Sequence, residues 1–519
     1  MGRIFVMGLD GATWRILDRF IEMGVMPTLK KLKKESAWGI LKSTVPPLSA
    51  PAWCTFLTGC NPGKHGIIDF YGFNENFEPE PLGFYDLEIW PFFKEMEDVE
   101  IGIVNVPFTY PPPEVNGFII SGFMRPEGEK SYTYPEDLKN ELEKLGPYST
   151  DPYDKYAYRS KDLLKQILSW INFREKVKEK LLKDFSPQIY IQVFQETDVL
   201  GHFFYDILDN NSKNFEEKEW DRYKELIIKI FSDLDSTIKK WINELKDEDL
   251  LILMSDHGFK PVYHMFSIIN FLKEKDFIQT AEKKEKLKLG KRFVSFLSRR
   301  NILRKYFSKL MPHFARERVK RKVDQLIGER INWQESAIFI PASTSYGIFI
   351  QREDKEKVKK KLIEELENLE FGNNKVLKEI WEKEKIYNGP FLHKLPDIVF
   401  DLNEGFAISL KTTSETLFEK PTEVYNGYHH QNGIFLFFGK NIRIKGKIDK
   451  LMKLEDFAPV FFSFFNKPIP SYMDGTPPQF LFKDKIRKIN KELPLKEKKF
   501  YSEEEKKEML KKLQNLGYA

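Results

Sequence analysis

Cysteine is almost missing from this chain: Cys54 and Cys60 are the two among 519 residues. That count excludes a secreted scaffold built on disulfides and suits a reducing compartment. Long apolar runs are missing too. No stretch approaches the roughly 18 residues of a membrane-spanning helix, and the amino terminus lacks the charged and apolar regions of a signal peptide. These absences predict a cytoplasmic protein. Internal repeats, low-complexity linkers and recognised nucleic-acid motifs are also lacking. The net charge of +5 is small for this length, so nothing in the composition calls for a nucleic-acid partner.

What is present describes a folded chain. It is 41% hydrophobic and 14% aromatic, which is a globular composition, and it is long enough for more than one domain. Apolar β-type runs alternate with helical patterns. That order predicts an α/β fold, a mostly parallel central sheet with helices on both faces. Strands are expected near 3–9, 38–43, 100–106, 116–121, 188–194, 249–255, 345–351, 397–401 and 433–438. Helices are expected near 14–34, 51–58, 88–97, 135–145, 161–183 and 217–245. In the helix at 161–183, Leu163, Leu164, Ile167, Leu168 and Ile171 recur at helical spacing.

Chemistry-bearing residues gather at the ends of these runs. Asp256 and His257 close the apolar run Leu250 to Met254 and open a Gly-Phe turn. Asp10 ends the first apolar strand. Asp198 and His202 lie four apart just after Tyr190 to Phe194, and His429 precedes the run Gly433 to Phe438. In open α/β sheets, ligands sit at the carboxyl ends of the strands. Three Asp and three His there are enough protein ligands for two divalent metals. Two metals suggest hydrolysis, and a nucleophile should sit between them. Ser49 is the candidate, two residues before Pro51, which is read as the first residue of the next helix. A helix N-terminus favours an anion such as a phosphate oxygen, and a metal lowers the pKa of an adjacent hydroxyl. His65 reads as a structural histidine bonding a turn, and Cys54 as a packing residue on a helix.

Residues 283–322 stand apart, with sixteen Lys or Arg against Glu285 and Glu317. Their apolar members recur at spacings near three and four, a basic amphipathic pattern. Three readings stay open: a solvated pair of cap helices, contact with anionic lipid head groups, or steering of a polyanionic substrate. The expected division is therefore a catalytic core at 1–269 and 336–482, an inserted basic cap at 270–335, and a helical extension at 483–519. Ser502 to Glu505 reads as a capping box that opens the last helix.

The run Phe56-Leu57-Thr58-Gly59-Cys60-Asn61-Pro62-Gly63-Lys64-His65-Gly66-Ile67 resembles the Thr-Gly…Pro…His-Gly stretch of the alkaline phosphatase superfamily. The order Asp10, Ser49, Asp198-x-x-x-His202, Asp256-His257, His429 is similar to the type I phosphodiesterase/nucleotide pyrophosphatase branch, over about residues 1–475. The resemblance implies one metal held by Asp10, Ser49, Asp256 and His257, and another by Asp198, His202 and His429. It implies zinc, which accepts mixed Asp and His ligands, with manganese as the alternative. His430 stands where many relatives have Arg and is not assigned as a ligand. Ala52 replaces an Asn that commonly contacts a phosphoryl oxygen. The Ser49-x-Pro51-x-Trp53 pattern also resembles the sulfatase signature, but Trp53 stands where that signature has Arg.

The expected function is a metal-dependent phosphohydrolase, first a phosphodiesterase working through a phosphoseryl intermediate on Ser49. The alternatives are a phosphomonoesterase or phosphomutase of the same superfamily, or a non-enzymatic metal-bound scaffold or lipid-surface binding protein. The expected partner is a small-molecule or lipid-linked phosphate ester. An anionic membrane surface is a further expected contact, through 283–322. Substrate-contacting residues and oligomeric state are not readable; Tyr110 to Pro113 and Phe123 to Pro126 are candidate rim loops.

Overall fold

The run Ile4–Leu9 is buried along its whole length, as an inner strand of a parallel sheet must be when helices cover both faces. It pairs in parallel with Ile189–Phe194 on one side and Leu250–Met254 on the other. The computed structural model describes residues 2–126, 131–148, 159–280, 331–341, 346–411, 414, 416–421, 426–440, 442–482 and 487–516. From one edge, its nine-stranded sheet runs Gly446–Lys453, Ala37–Lys42, Asn432–Phe438, Leu250–Met254, Ile4–Leu9, Ile189–Phe194, Ile101–Val104, Gly117–Ile120, Thr133–Tyr134. Asn432–Phe438 is antiparallel to both neighbours, and so is Thr133–Tyr134 to its one neighbour. The rest pair in parallel.

Side chains alternate between two cores, as a strand's twofold period requires. Phe5, Met7 and Leu9 join the helices Trp14–Glu22, Lys161–Asp184, Glu196–Leu208 and Glu217–Asn243 on one face. Ile4 and Val6 join the helices Ser49–Thr58 and Phe457–Phe464 on the other. The α/β architecture, mostly parallel and covered on both faces, is thus the one expected. Three central strands end side by side, and that shared rim positions the site.

Local structure departs from expectation at several places. The helix expected over 14–34 is two, Trp14–Glu22 and Pro27–Glu35. Gly24 breaks it at φ +77°, and Pro27 starts the second at a position where its missing N–H costs nothing. The helix expected over 88–97 shrinks to a 3₁₀ turn, Phe92–Glu95. Pro91 disfavours helical backbone at Trp90, and the Trp90 N–H bonds Pro494 O at 2.8 Å. Gly258-Phe259 is no turn: it opens a ten-residue strand, Gly258–Ser267. His429 lies inside a short strand, Gly427–His430, paired antiparallel with that one.

A satellite core gathers apolar residues from Phe266 to Ile408. Its antiparallel sheet orders Ile338–Phe339, Gly347–Ile350, Ile398–Leu402 and Leu377–Glu382, beside the helix Lys355–Glu367. Most of the expected cap, including 283–322, lies outside the described residues. The last helix, Glu503–Leu516, has its capping box: Glu505 N–H bonds Ser502 Oγ at 3.2 Å, and Ser502 N–H bonds Glu505 Oε2 at 2.7 Å. Tyr501, Met509 and Leu513 pack there against Phe70, Phe84 and Phe108. Cys54 and Cys60 are buried free thiols. Among the described residues no helix is long and apolar enough to cross a membrane.

Candidate active site

Each of the three central strands hands over polar side chains as it ends. Asp10 follows Ile4–Leu9, and its N–H bonds Phe194 O at 3.0 Å. Asp256 and His257 follow Leu250–Met254. The helix Glu196–Leu208 begins just past Ile189–Phe194, and it carries Asp198 and His202 on one face, four residues apart. His429 arrives from Gly427–His430, opposite Phe259. Ser49 is the first residue of the helix Ser49–Thr58, so that helix starts two residues earlier than expected and Pro51 sits in its first turn.

These residues form two buried groups that touch. In the first, Asp10, Asp256 and His257 place ligand atoms within 4.8 Å of one another. Ser49 Oγ joins them, 3.1 Å from His257 Nε2 and 3.5 Å from Asp10 Oδ1. In the second, Asp198 Oδ1 lies 3.5 Å from both His202 Nε2 and His429 Nε2. The His257 and His429 rings stack at 3.8 Å and join the groups.

Hydrogen bonds behind the rings set their tautomers. His257 Nδ1 faces Gly258 O at 3.1 Å, and His429 Nδ1 faces Pro47 O at 3.0 Å. A carbonyl only accepts, so each Nδ1 carries a proton, and in the neutral ring the lone pair is on the inward-facing Nε2. Metal-ligating histidines are oriented in this way. The carboxylates tell the same story. Burial, then Asp256 and Asp198, pushes the Asp10 carboxyl well above its usual range, with the Trp53 indole offsetting part of that rise. Burial lifts Asp256 to about 6. Burial would raise Asp198 as well, but the facing His202, His429 and His257 rings hold it low. Burial drives His257 far down and His202 to about 4. Three buried carboxyl groups beside three imidazoles form a donor set that fits divalent cations.

Several supports have no sequence signal. Phe259 packs its edge against His202, His257 and His429, with ring centroids at 4.9, 5.8 and 5.2 Å. It fits because Gly11 and Gly201 have no Cβ; one on Gly11, at φ +68°, would lie 2.4 Å from the Phe259 ring. Gly11 N–H also bonds Asp256 Oδ1 at 3.1 Å. Tyr387, clustered with Ile68 and Leu395, grips the loop before Ser49: its hydroxyl accepts from Val45 N–H at 2.8 Å and donates to Val45 O at 2.5 Å.

The other candidates are structural. His65 is buried, with Nδ1 accepting from Ile67 N–H at 3.2 Å and Nε2 facing Thr55 Oγ1 at 3.0 Å. Arg125 is tied to Tyr148 O at 2.6 Å and lies over the Tyr132 ring. His430 is not in either group.

No curated protein sequence matches the chain. Among solved structures it is similar to murine ectonucleotide pyrophosphatase/phosphodiesterase 5, an inactive form in complex with AMP. That pair shares 14% identity over 93% of this chain and 98% of the other, with a TM-score of 0.49. It is also similar to phosphonoacetate hydrolase from Sinorhizobium meliloti 1021 in complex with phosphonoacetate. There the identity is 14% over 90% of this chain and 95% of the other, with a TM-score of 0.50, a likeness of fold. The family model described as type I phosphodiesterase / nucleotide pyrophosphatase matches residues 4–430, from the first strand through His429. The chain therefore belongs to that family of phosphoric ester hydrolases.

Proposed function

We propose that the protein hydrolyses phosphodiesters in two steps, through a phosphoseryl intermediate on Ser49. The observation that carries this reading is the position of Ser49 Oγ, 3.1 Å from His257 Nε2 and at the first residue of a helix. Two divalent cations, zinc by the chemistry of the mixed Asp and His donors, would supply the positive charge that acidifies the serine hydroxyl and steadies the departing oxygen. Asp10, Asp256, His257 and Ser49 would hold one, and Asp198, His202 and His429 the other. Ser49 Oγ attacks phosphorus as the bond to the leaving alcohol breaks in line. The alcohol departs with a proton, and one ester remains on the phosphoseryl group. Water then attacks phosphorus, releasing the monoester and restoring the hydroxyl. The N-terminal dipole of Ser49–Thr58 points its positive end at the phosphoryl oxygens throughout.

The family is described by its phosphodiesterase and nucleotide pyrophosphatase activities. Turnover of bis(4-nitrophenyl) phosphate is therefore expected to exceed that of 4-nitrophenyl phosphate, and to stop on chelation. A monoester preference would move the assignment to a phosphatase or mutase. Turnover that survives complete metal removal would defeat it.

A further inference from the structure

Beyond the two ligand groups, the seam between the main sheet and the satellite has an uneven charge balance. Lys260 Nζ, almost fully buried, lies 3.3 Å from Asp401 Oδ1 and donates to Leu402 O at 2.5 Å. Lys378 Nζ takes the other oxygen, Asp401 Oδ2, at 3.3 Å. One buried carboxylate thus serves two ammonium groups. Lys42 is a third, half-buried at the end of Ala37–Lys42 and within the fields of Lys378, Asp401 and Glu379. Among the described residues its ammonium makes no side-chain hydrogen bond or ion pair. Of the other acids nearby, Glu404 is paired with Arg15 at 2.9 Å, and Glu379 is exposed.

Neutral donors complete the corner. His430 Nδ1 accepts from Asn432 N–H at 3.1 Å, so its proton sits on Nε2. Ser43 N–H bonds Gln431 O at 2.8 Å. Ser43 Oγ, Gln431 Nε2 and Asn432 Oδ1 are buried without a hydrogen-bond partner among the described residues. These residues flank the nucleophile along the chain. Lys42 and Ser43 lead into the loop that ends at Ser49, and His430 follows His429.

A partly desolvated ammonium that makes no direct ion pair, beside a carboxylate already shared by two other ammonium groups, is held at a free-energy cost. An anion that reaches it gains charge-assisted hydrogen bonds and removes that cost. We propose that Lys42, Lys378 and His430, with Ser43 and Gln431, form a second anion subsite. It takes a further phosphate or carboxylate of the same substrate whose phosphodiester Ser49 attacks. The preferred substrate is then a phosphodiester with a second anionic group. This inference rests on the hydrolytic reading of the Ser49 site.

Two esters that differ by one phosphate test it: thymidine 3′-phosphate 5′-(4-nitrophenyl phosphate) and thymidine 5′-(4-nitrophenyl phosphate). The readout is the ratio of their kcat/KM values in the wild type and in a Lys42→Gln/Lys378→Gln double variant, whose changes fall on partly exposed side chains. The wild type is expected to favour the bisphosphate, and the variant to lose about tenfold or more of that preference. An unchanged ratio overturns the subsite. Calorimetry of inorganic phosphate on the metal-loaded protein gives a reading that needs no turnover. Two sites in the wild type and one in the variant are expected; equal numbers overturn the subsite. If neither ester is cleaved but the variant loses a phosphate site, the subsite stands and the hydrolytic reading falls.

Discussion

Ser49→Ala deletes a single oxygen and leaves Asp10, Asp256 and His257 where they are. Turnover of the diester is expected to fall on the order of a thousandfold or more, as it does when an enzyme loses its nucleophile. Metal content, read by elemental analysis, is expected to stay the same. Near-normal turnover in that variant would remove Ser49 from the mechanism. His65 gives a prediction about stability instead. Burial pushes its folded pKa from 6.5 down to about 3, and both ring nitrogens are engaged in the neutral form. Below pH 6.5 the unfolded chain takes up a proton that the folded ring refuses. Stability therefore falls as pH drops from 6.5 towards 3, by up to about 1.4 kcal/mol per pH unit from this residue. His65→Gln keeps an acceptor for Ile67 and a donor for Thr55. Its denaturation midpoints should fall less steeply over that window; a parallel curve would count against the assignment. At this scale the sequence was most informative for which Asp and His residues gather, because Asp and His at strand ends are local signals. Phe259, Gly11 and Tyr387 were silent, because what they do depends on contacts across the fold.

Elements decide how firmly Ser49 is held. The loop before Ser49 is fixed at two carbonyls: His429 Nδ1 holds Pro47 O, and Tyr387 holds Val45 by both its N–H and its C=O. Tyr387→Phe keeps the ring and removes both bonds. A misplaced attacking atom costs rate more than affinity. We expect kcat to fall by about tenfold while KM changes less; a rise in KM alone would mean that Tyr387 shapes binding and not attack. The same scale shows where pattern reading stopped. A run of helical spacing hid the break at Gly24, since Ile21 and Leu29 both face the core on either side of it. The strand Gly258–Ser267 was not visible because its partners come from far along the chain, Gly405–Ser409 and Gly427–His430. Its Gly-Phe start carries the local mark of a turn. What makes it a strand is the partner.

For the whole molecule, alternating apolar runs were enough to give the covered, mostly parallel sheet, because burial on both faces leaves long uninterrupted hydrophobic strands. The satellite was less legible: its strands are short, pair antiparallel, and fold around a separate core. At the carboxyl rim of the main sheet lies the cluster of Asp10, Asp198 and Asp256, all buried, contributed by three neighbouring strands and their following segments. Carboxylates gathered in a low-dielectric site repel one another unless a cation sits among them. Bound metal should therefore hold the carboxyl rim of the sheet together as well as serve chemistry. Ligand bound only to the folded state adds roughly 4 kcal/mol per site at a thousandfold excess over Kd. Chelation is expected to lower the melting temperature by several degrees, and returned zinc to restore it together with activity. Asp256→Asn removes one buried charge and one ligand. It should melt closer to the wild type once both are chelated than when both are loaded. If chelation leaves melting and turnover untouched, the cluster is a network of buried polar groups and no metal centre.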